Sequence, residues 1–446
     1  MVSIDRNAPE IPGIKQPSNV TNDLKAIISR ILNSPKPLRT FLGSQPVSFQ
    51  KQDIGSKLLS EDYYVCEKTD GIRVIMFLVV NPVTQEQGCF LIDRENNFFL
   101  TSGFQLPLPK HLVPPEQLKD EEGKPIKKDP LLRTFQNGTL VDGELVIQTN
   151  PQTKIKELRY LMFDCLSING RSLVHSPTSS RLAHLGHDFY KPYFDLRVKY
   201  PEICQNFPFK LSMKQMMFSY DLVKVAKSLN NLPHVSDGLI FTPVLRPYVI
   251  GGKDQLLLKW KPEEENTVDF KLVLEIAKYY ENSKKKNKTS DWYYNYDVKP
   301  LAFNLYVWQG GSDSSYKSNP DEPFNEKDLK ILNNTYSKFA ELTVSEEEWK
   351  KLLSLNEPIN GRIVECGKDQ DTGEWKLLRF RDDKLNGNHI SVVQNVLESI
   401  NDAVTIEDLE SEAADIKKKW DNRHNKNNKN KYVDDEDDED DILDMF

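Results

Sequence analysis

The clearest candidate for chemistry in this chain is one lysine set between acids, in the block Glu67-Lys68-Thr69-Asp70-Gly71-Ile72-Arg73. A neutral lysine amine is a nucleophile, and neighbouring cations both disfavour its protonation and attract a phosphate. Taken alone the block reads as a surface turn. Its company changes that reading. Further along come Ile92-Asp93-Arg94, Asp142-Gly143-Glu144-Leu145-Val146, Tyr160-Leu161-Met162-Phe163-Asp164 and Ser236-Asp237-Gly238-Leu239-Ile240-Phe241. Leu257-Leu258-Lys259-Trp260-Lys261-Pro262 and Arg379-Phe380-Arg381-Asp382-Asp383-Lys384 complete the set. Each block joins an apolar, strand-like run to charges. Alternation along a strand aims Lys259 and Lys261 to one face, which suits a phosphate. Other nucleotide-binding signatures are missing. Gly251-Gly252-Lys253-Asp254 lacks the spacing and the Ser/Thr of a P-loop, and no G-x-G-x-x-G opens a helix after a strand.

The elements that must hold these side chains are mixed. Short runs rich in β-branched and aromatic residues, at Ile72 to Val80, Cys89 to Asp93, Leu140 to Ile147, Tyr160 to Cys165, Leu239 to Thr242 and Leu256 to Trp260, predict strands. Helical spacing marks Thr21 to Leu32, part of Ser179 to Phe189, and Leu211 to Leu229. No strict βαβ alternation appears, so the expectation is an α+β protein of mostly antiparallel sheets with flanking helices. Past Lys261-Pro262 the pattern changes. Val268 to Ile276 and Leu301 to Gln309 read as strands, overlapping capping boxes from Thr343 to Glu348 start a helix, and Gly361 to Gly367 with Trp375 to Arg381 suit a hairpin. Several strands and one helix point to a small barrel such as an oligonucleotide-binding (OB) fold. The expected division is 1–262, a catalytic domain; 263–389, the OB-fold domain; 390–420, a helical segment; and 421–446, an acidic flexible tail.

With 446 residues, two domains are the natural expectation. The 38% hydrophobic and 28% charged content fits a soluble protein, and no apolar run approaches the roughly 20 residues of a membrane span. No membrane partner is expected. The start of the chain lacks the basic flank and apolar stretch of a signal peptide. Five dispersed cysteines form no C-x-x-C pair and read as reduced thiols in cytosol or nucleus. The net charge of −8 is concentrated at Asp434 to Asp441, leaving the body near neutral and a local basic groove possible. Lys284-Lys285-Lys286-Asn287-Lys288 reads as a polar loop.

The charged blocks, in this order from about Ser60 to His389, resemble the covalent nucleotidyltransferase superfamily, which includes messenger RNA capping enzymes and polynucleotide ligases. The Ile92-Asp93-Arg94-Glu95-Asn96-Asn97, Lys-Trp-Lys-Pro and Arg-Asp-Asp-Lys blocks are more similar to capping guanylyltransferases, which favours GTP over ATP. The resemblance implies attack by Lys68 on the α-phosphate of GTP, release of pyrophosphate, and passage of the lysine-bound GMP to the 5′-diphosphate end of RNA. Free lysine titrates near ~10.4, so Lys68 is expected to need a lowered pKa. By the same resemblance Asp70 joins Lys68 in the catalytic block. Glu67, Arg73 and Arg94 contact the nucleotide, Phe163 and Ile240 sandwich the guanine, and Lys259 with Lys261 holds the α-phosphate. Glu144 sits by ribose or metal, Asp237 by a Mg2+ or Mn2+ ion. Arg381, Asp383 and Lys384 act on the β- and γ-phosphates if the small barrel closes. An RNA triphosphatase subunit, the phosphorylated repeat tail of RNA polymerase II and a nuclear location are further implications. Two other functions fit the same residues: an ATP-dependent polynucleotide ligase, and a non-catalytic scaffold binding RNA or the polymerase tail.

Overall fold

The computed structural model describes residues 9–34, 38–119, 123–126, 129–262, 266–280, 292–295, 298–312, 324–369, 371–401 and 404–430. The lysine run 284–288 and the acidic stretch 434–441 lie outside the described residues. The chain divides into two compact units, Met1–Lys261 with Val404–Phe446, and Pro262–Ala403. Among the described residues no helix is long and apolar enough to cross a membrane.

The first unit is built on two sheets. The larger runs in the order Ile14–Lys15, Phe98–Thr101, Gln87–Ile92, Ile72–Val80, Thr139–Thr149, Lys156–Ile168 and Lys210–Met213, with Arg171–Ser172 paired beside Lys156–Ile168. The smaller runs Met217–Phe218, Tyr63–Thr69, Ser236–Pro243, Lys253–Trp260 and Gln45–Ser48. Pairing is antiparallel except for Lys210–Met213 beside Arg159–Met162 and Lys253–Trp260 beside Gln45–Ser48. The apolar run Val74 to Val80, which follows Arg73 on the strand Ile72–Val80, is explained by burial on both faces. Val74, Met76 and Leu78 enter one core with Leu91 and Met162, while Ile75 and Phe77 enter another with Leu24 and Ile28 of the helix Ser18–Ile31.

Only Asp70 and Gly71 separate a strand of the smaller sheet, Tyr63–Thr69, from a strand of the larger, Ile72–Val80. The chain thus steps between sheets at the lysine block. Gly71 is required there, because a Cβ would lie 2.5 Å from the Leu145 carbonyl oxygen.

The second unit carries five antiparallel strands in the order Tyr336–Glu341, Ala302–Trp308, Thr267–Glu275, Ile363–Lys368 and Trp375–Phe380. A bridge from Leu342 to Trp375, with the Thr343 N–H donating to the Trp375 carbonyl at 3.0 Å, links the two edges and closes a small barrel. The helix Glu346–Ser354 begins at the Ser345 capping box expected from sequence, with Ser345 and Glu348 bonded reciprocally.

Two expectations need correction. Leu211 to Leu229 is not one helix: strands Lys210–Met213 and Met217–Phe218 precede a helix of only Leu222–Ser228. Sheet pairing with Arg159–Met162 and with Tyr64 and Val65 overrides the helical spacing. Residues 390–420 are not one segment either. Helix Ile390–Asn401 belongs to the second unit, whereas Ile406–Asn430 belongs to the first and runs past residue 421. Its apolar face, Leu409 and Ile416, packs with Val65, Leu239, Leu258 and Trp260. Arg423 then donates to Asp62 at 2.8 Å, which holds polar residues that composition alone would leave free.

Candidate active site

The two sheets of the first unit flank a cleft that is partly open to solvent and lined by side chains from both. Lys68, Arg73, Arg94, Glu144, Phe163 and Ile240 all line it. Cys66 and Lys68, two apart on one strand, face the cleft together. Burial pushes the Cys66 thiol up to about 12, so Lys68 is the nucleophile the cleft offers from that strand.

Lys68 Nζ lies 2.5 Å from one oxygen of Asp237, and Lys261 Nζ lies 2.5 Å from the other. Local backbone explains how one acid serves two lysines. The strand Ser236–Pro243 carries an extra residue against Tyr63–Thr69, between the pairs Ser236 with Thr69 and Leu239 with Glu67. Gly238 sits in this bulge at φ 146°, and a Cβ there would meet the Trp260 carbonyl oxygen at 2.0 Å. Burial raises the Asp237 pKa, but the charges of Lys68 and Lys261 and their hydrogen bonds outweigh it and hold the carboxyl below its ordinary value. The Lys259 pKa is held below the ordinary lysine value. Burial is the main cause, reinforced by repulsion from Lys68, Lys261 and Arg94.

On the opposite wall, Arg73 donates two bonds to Asp142, at 3.0 and 2.6 Å, and a third to the Ser44 carbonyl at 2.6 Å. Asp142 is fully buried, and its charge outweighs desolvation to raise the Arg73 pKa, so the guanidinium stays charged. Burial, then repulsion from Arg73, lowers Arg94, which projects from a tight turn closed by Asp93 and Asn97. Phe163 is the unpaired residue of a second bulge, since Asp164 pairs with Asp142 and Met162 with Gly143. The Arg73 guanidinium stands 5.3 Å from its ring centre. Phe163 belongs to the larger sheet and Ile240 to the smaller, so the cleft has an aromatic and an aliphatic wall.

The structure separates Glu67 and Asp70 from this group. The Glu67 carboxylate turns toward His234, 3.7 Å away, and neither residue lines the cleft. Lys259 and Lys261 stand beside the cleft rather than in its lining, Lys259 opposite Ile240 in the sheet. Sequence reading missed Lys214. This lysine is buried, donates to the Glu67 carbonyl at 3.3 Å and to Glu144 at 3.4 Å, and stands 5.2 Å from the Phe163 ring centre. Burial alone would lower its pKa, but Glu144, Cys66 and Glu67 together raise it. Lys214 falls in the stretch misread as helix, where nothing but its charge among apolar residues marks it.

Among the described residues no three His, Cys, Asp or Glu side chains converge as a metal cluster. Glu144, in the cleft lining, is bonded to Lys214, and Asp237 to Lys68 and Lys261. In the second unit Arg381 bonds Asp383 at 2.7 Å and lies 3.3 Å from Asp269, which also pairs with Lys384. The Arg381 hydrogen bond holds the Asp383 carboxyl down to about 2.

Residues 7–263 match the model of the mRNA capping enzyme catalytic domain, and 265–410 that of the mRNA capping enzyme C-terminal domain. The mRNA-capping enzyme subunit alpha of Saccharomyces cerevisiae is 65% identical over 420 residues, 94% of this chain and 88% of that protein. The protein of the same description from Candida glabrata is 64% identical, over 94% of this chain and 90% of its own. That of Schizosaccharomyces pombe is 37% identical, over 93% and 89%. Among solved structures, a mycobacterial DNA ligase D complexed with ATP and MES aligns over 77% of this chain and 96% of its own, at 12% identity and a TM-score of 0.31, too distant to bear on function. Two family models that together cover nearly the whole described chain, and relatives similar along almost their full length, agree: the chain belongs to the mRNA capping enzyme family.

Proposed function

We propose that the guanylyltransferase activity of this chain runs through a covalent GMP on Lys68. The observation that carries this reading is Lys68 in the lining of the cleft between the two sheets, bonded to an acid that also binds Lys261, with Arg73, Arg94 and Phe163 in the same lining. The Lys68 amine attacks the α-phosphorus of GTP, the bond to the β-phosphate oxygen breaks, and pyrophosphate leaves. The terminal phosphate oxygen of a 5′-diphosphate RNA then attacks the same phosphorus, the phosphorus–nitrogen bond breaks, and the amine is restored. Asp237 orients the amine, Lys259 and Lys261 neutralise the α-phosphate, and Arg73 and Arg94 hold the sugar and phosphates. Phe163 and Ile240 stack on the base from the two sheets.

Base choice follows from Lys214. An ammonium donates hydrogen bonds and accepts none. The six-position edge of guanine presents an acceptor oxygen, whereas that of adenine presents an amino donor. A buried lysine at the Phe163 wall therefore favours GTP.

Mg2+ or Mn2+ fits the donor set. Such ions keep several waters and bind through one or two carboxylates together with substrate phosphates. Asp237 and Glu144 would hold it, and when bound it supplies charge neutralisation at the phosphates. Arg381, Asp383 and Lys384 are proposed to act on the departing pyrophosphate, in the manner the resemblance implies. An RNA triphosphatase subunit and the phosphorylated polymerase tail are the proposed partners, and the nucleus the proposed location.

The test is labelling with α-phosphate-labelled GTP or ATP and magnesium, followed by mapping of the modified residue. Label from GTP on Lys68 is expected, with none on Lys68→Ala. Lys214→Met is expected to reduce GTP labelling by roughly ten- to a hundredfold, the worth of a charged hydrogen bond, with little change for ATP. Labelling by ATP alone would favour the ligase reading.

A further inference from the structure

Arg73 is held by more than its acid. The Tyr248 hydroxyl donates to the Asp142 oxygen that also accepts from Arg73 Nη2, and accepts from the Ser44 N–H at 3.0 Å. Arg73 Nη1 in turn donates to the Ser44 carbonyl at 2.6 Å. The four groups make a closed ring: Arg73 to Asp142, Asp142 to Tyr248, Tyr248 to Ser44, Ser44 back to Arg73. Every member is drawn from a different segment of the first unit, and Tyr248 is buried with its ring 5.5 Å from the Arg181 guanidinium. Arg181 is fixed in its turn by two bonds to Asp164 at 2.7 and 2.8 Å.

The chemistry of the ring explains why a tyrosine is needed. A carboxylate gripped by one guanidinium fork fixes the plane of the fork but leaves the pair free to rock together. The Tyr248 hydroxyl uses both its donor and its acceptor, tying the acid to the backbone of residue 44. The same peptide segment receives the third guanidinium bond. Rocking of Arg73 then breaks two bonds at once. Phenylalanine would fill the same volume and leave both the Ser44 N–H and one Asp142 lone pair unsatisfied.

We propose that Tyr248 is a positioning residue for nucleotide capture, acting through Asp142 and Ser44 to fix the Arg73 guanidinium at the cleft wall beside Phe163. It touches no substrate itself. The proposal rests on the reading of Arg73 as a nucleotide contact and of Lys68 as the acceptor of GMP.

The test is a double-mutant cycle on Tyr248→Phe and Arg73→Lys in the full-length protein, because lysine cannot reproduce the guanidinium fork. Tyr248→Phe is expected to raise the KM for GTP in Lys68–GMP formation by about tenfold, the worth of one hydrogen bond to a charged group, with a smaller change in kcat. In the Arg73→Lys background the same substitution is expected to add less than about twofold, since its target is already gone. A merely structural tyrosine would give the same fold-loss in both backgrounds, and that result, or an unchanged KM in Tyr248→Phe, overturns the assignment. Equilibrium GTP binding repeated in Lys68→Ala keeps the two readings apart. Failure of wild type to form the adduct removes the covalent role of Lys68, while the binding cycle still decides for or against Tyr248. Should Tyr248→Phe not fold by circular dichroism, 4-aminophenylalanine at position 248, whose para nitrogen still donates toward Asp142 but accepts poorly from the Ser44 N–H, takes its place in the cycle under the same criterion.

Discussion

Lys259 shows how a binding site works against the stability of the protein that carries it. Burial, with Lys68, Lys261 and Arg94 nearby, lowers its pKa below the ordinary lysine value. The unfolded chain, titrating near ~10.4, then binds more protons than the folded one across the interval between the two values, so stability rises with pH there. Below that interval the full penalty is present. Replacing Lys259 by Met is therefore expected to raise the melting temperature of the nucleotide-free protein at pH 7, and to raise it less at pH 10, while GMP transfer collapses. Thermal melts at the two pH values check this, and a lower melting temperature at both would refute it. The lysine pair 259 and 261 was visible in the sequence through strand alternation. The grip of both Lys68 and Lys261 on Asp237 was not, because it depends on a bulge that no residue pattern announces.

At the scale of elements, the strand sequences declared themselves best where burial is complete. Ile72–Val80 was legible because an apolar run of that length, rich in β-branched residues, has few alternatives once both faces are covered. Lys210–Met213 was not, since a four-residue edge strand carries too few positions to separate a period of two from a period of 3.6. The helix Ile406–Asn430 shows a third case: its spacing at Leu409 and Ile416 was readable, yet its docking site on the smaller sheet was not. Leu409 is fully buried, so Leu409→Ala is expected to cost ~2–5 kcal/mol in denaturant unfolding. A cost below about 1 kcal/mol would mean that the helix is not seated on the sheet in solution.

The first unit as a whole is discontinuous in sequence: it ends at Lys261 and resumes at Val404. The join is tight, because the Trp260 indole N–H donates to the Val404 carbonyl at 2.7 Å. Replacing 262–403 by a short Gly/Ser linker is therefore expected to leave a folded unit that still binds GTP. Without Arg381, Asp383 and Lys384 it should form no Lys68–GMP, which labelling and equilibrium binding measured together would show. Full adduct formation would remove those three residues from the reaction. What the sequence determined by itself is the order of charged blocks, most strands and the family likeness, since these depend on residue type and short-range period. The tertiary structure alone decided that Lys214 joins the site, that the Glu67 carboxylate turns toward His234, and that Tyr248 closes a ring around Arg73. Those outcomes depend on which strands become neighbours and where a bulge shifts their register, and contacts between residues up to about 200 positions apart leave no local signature.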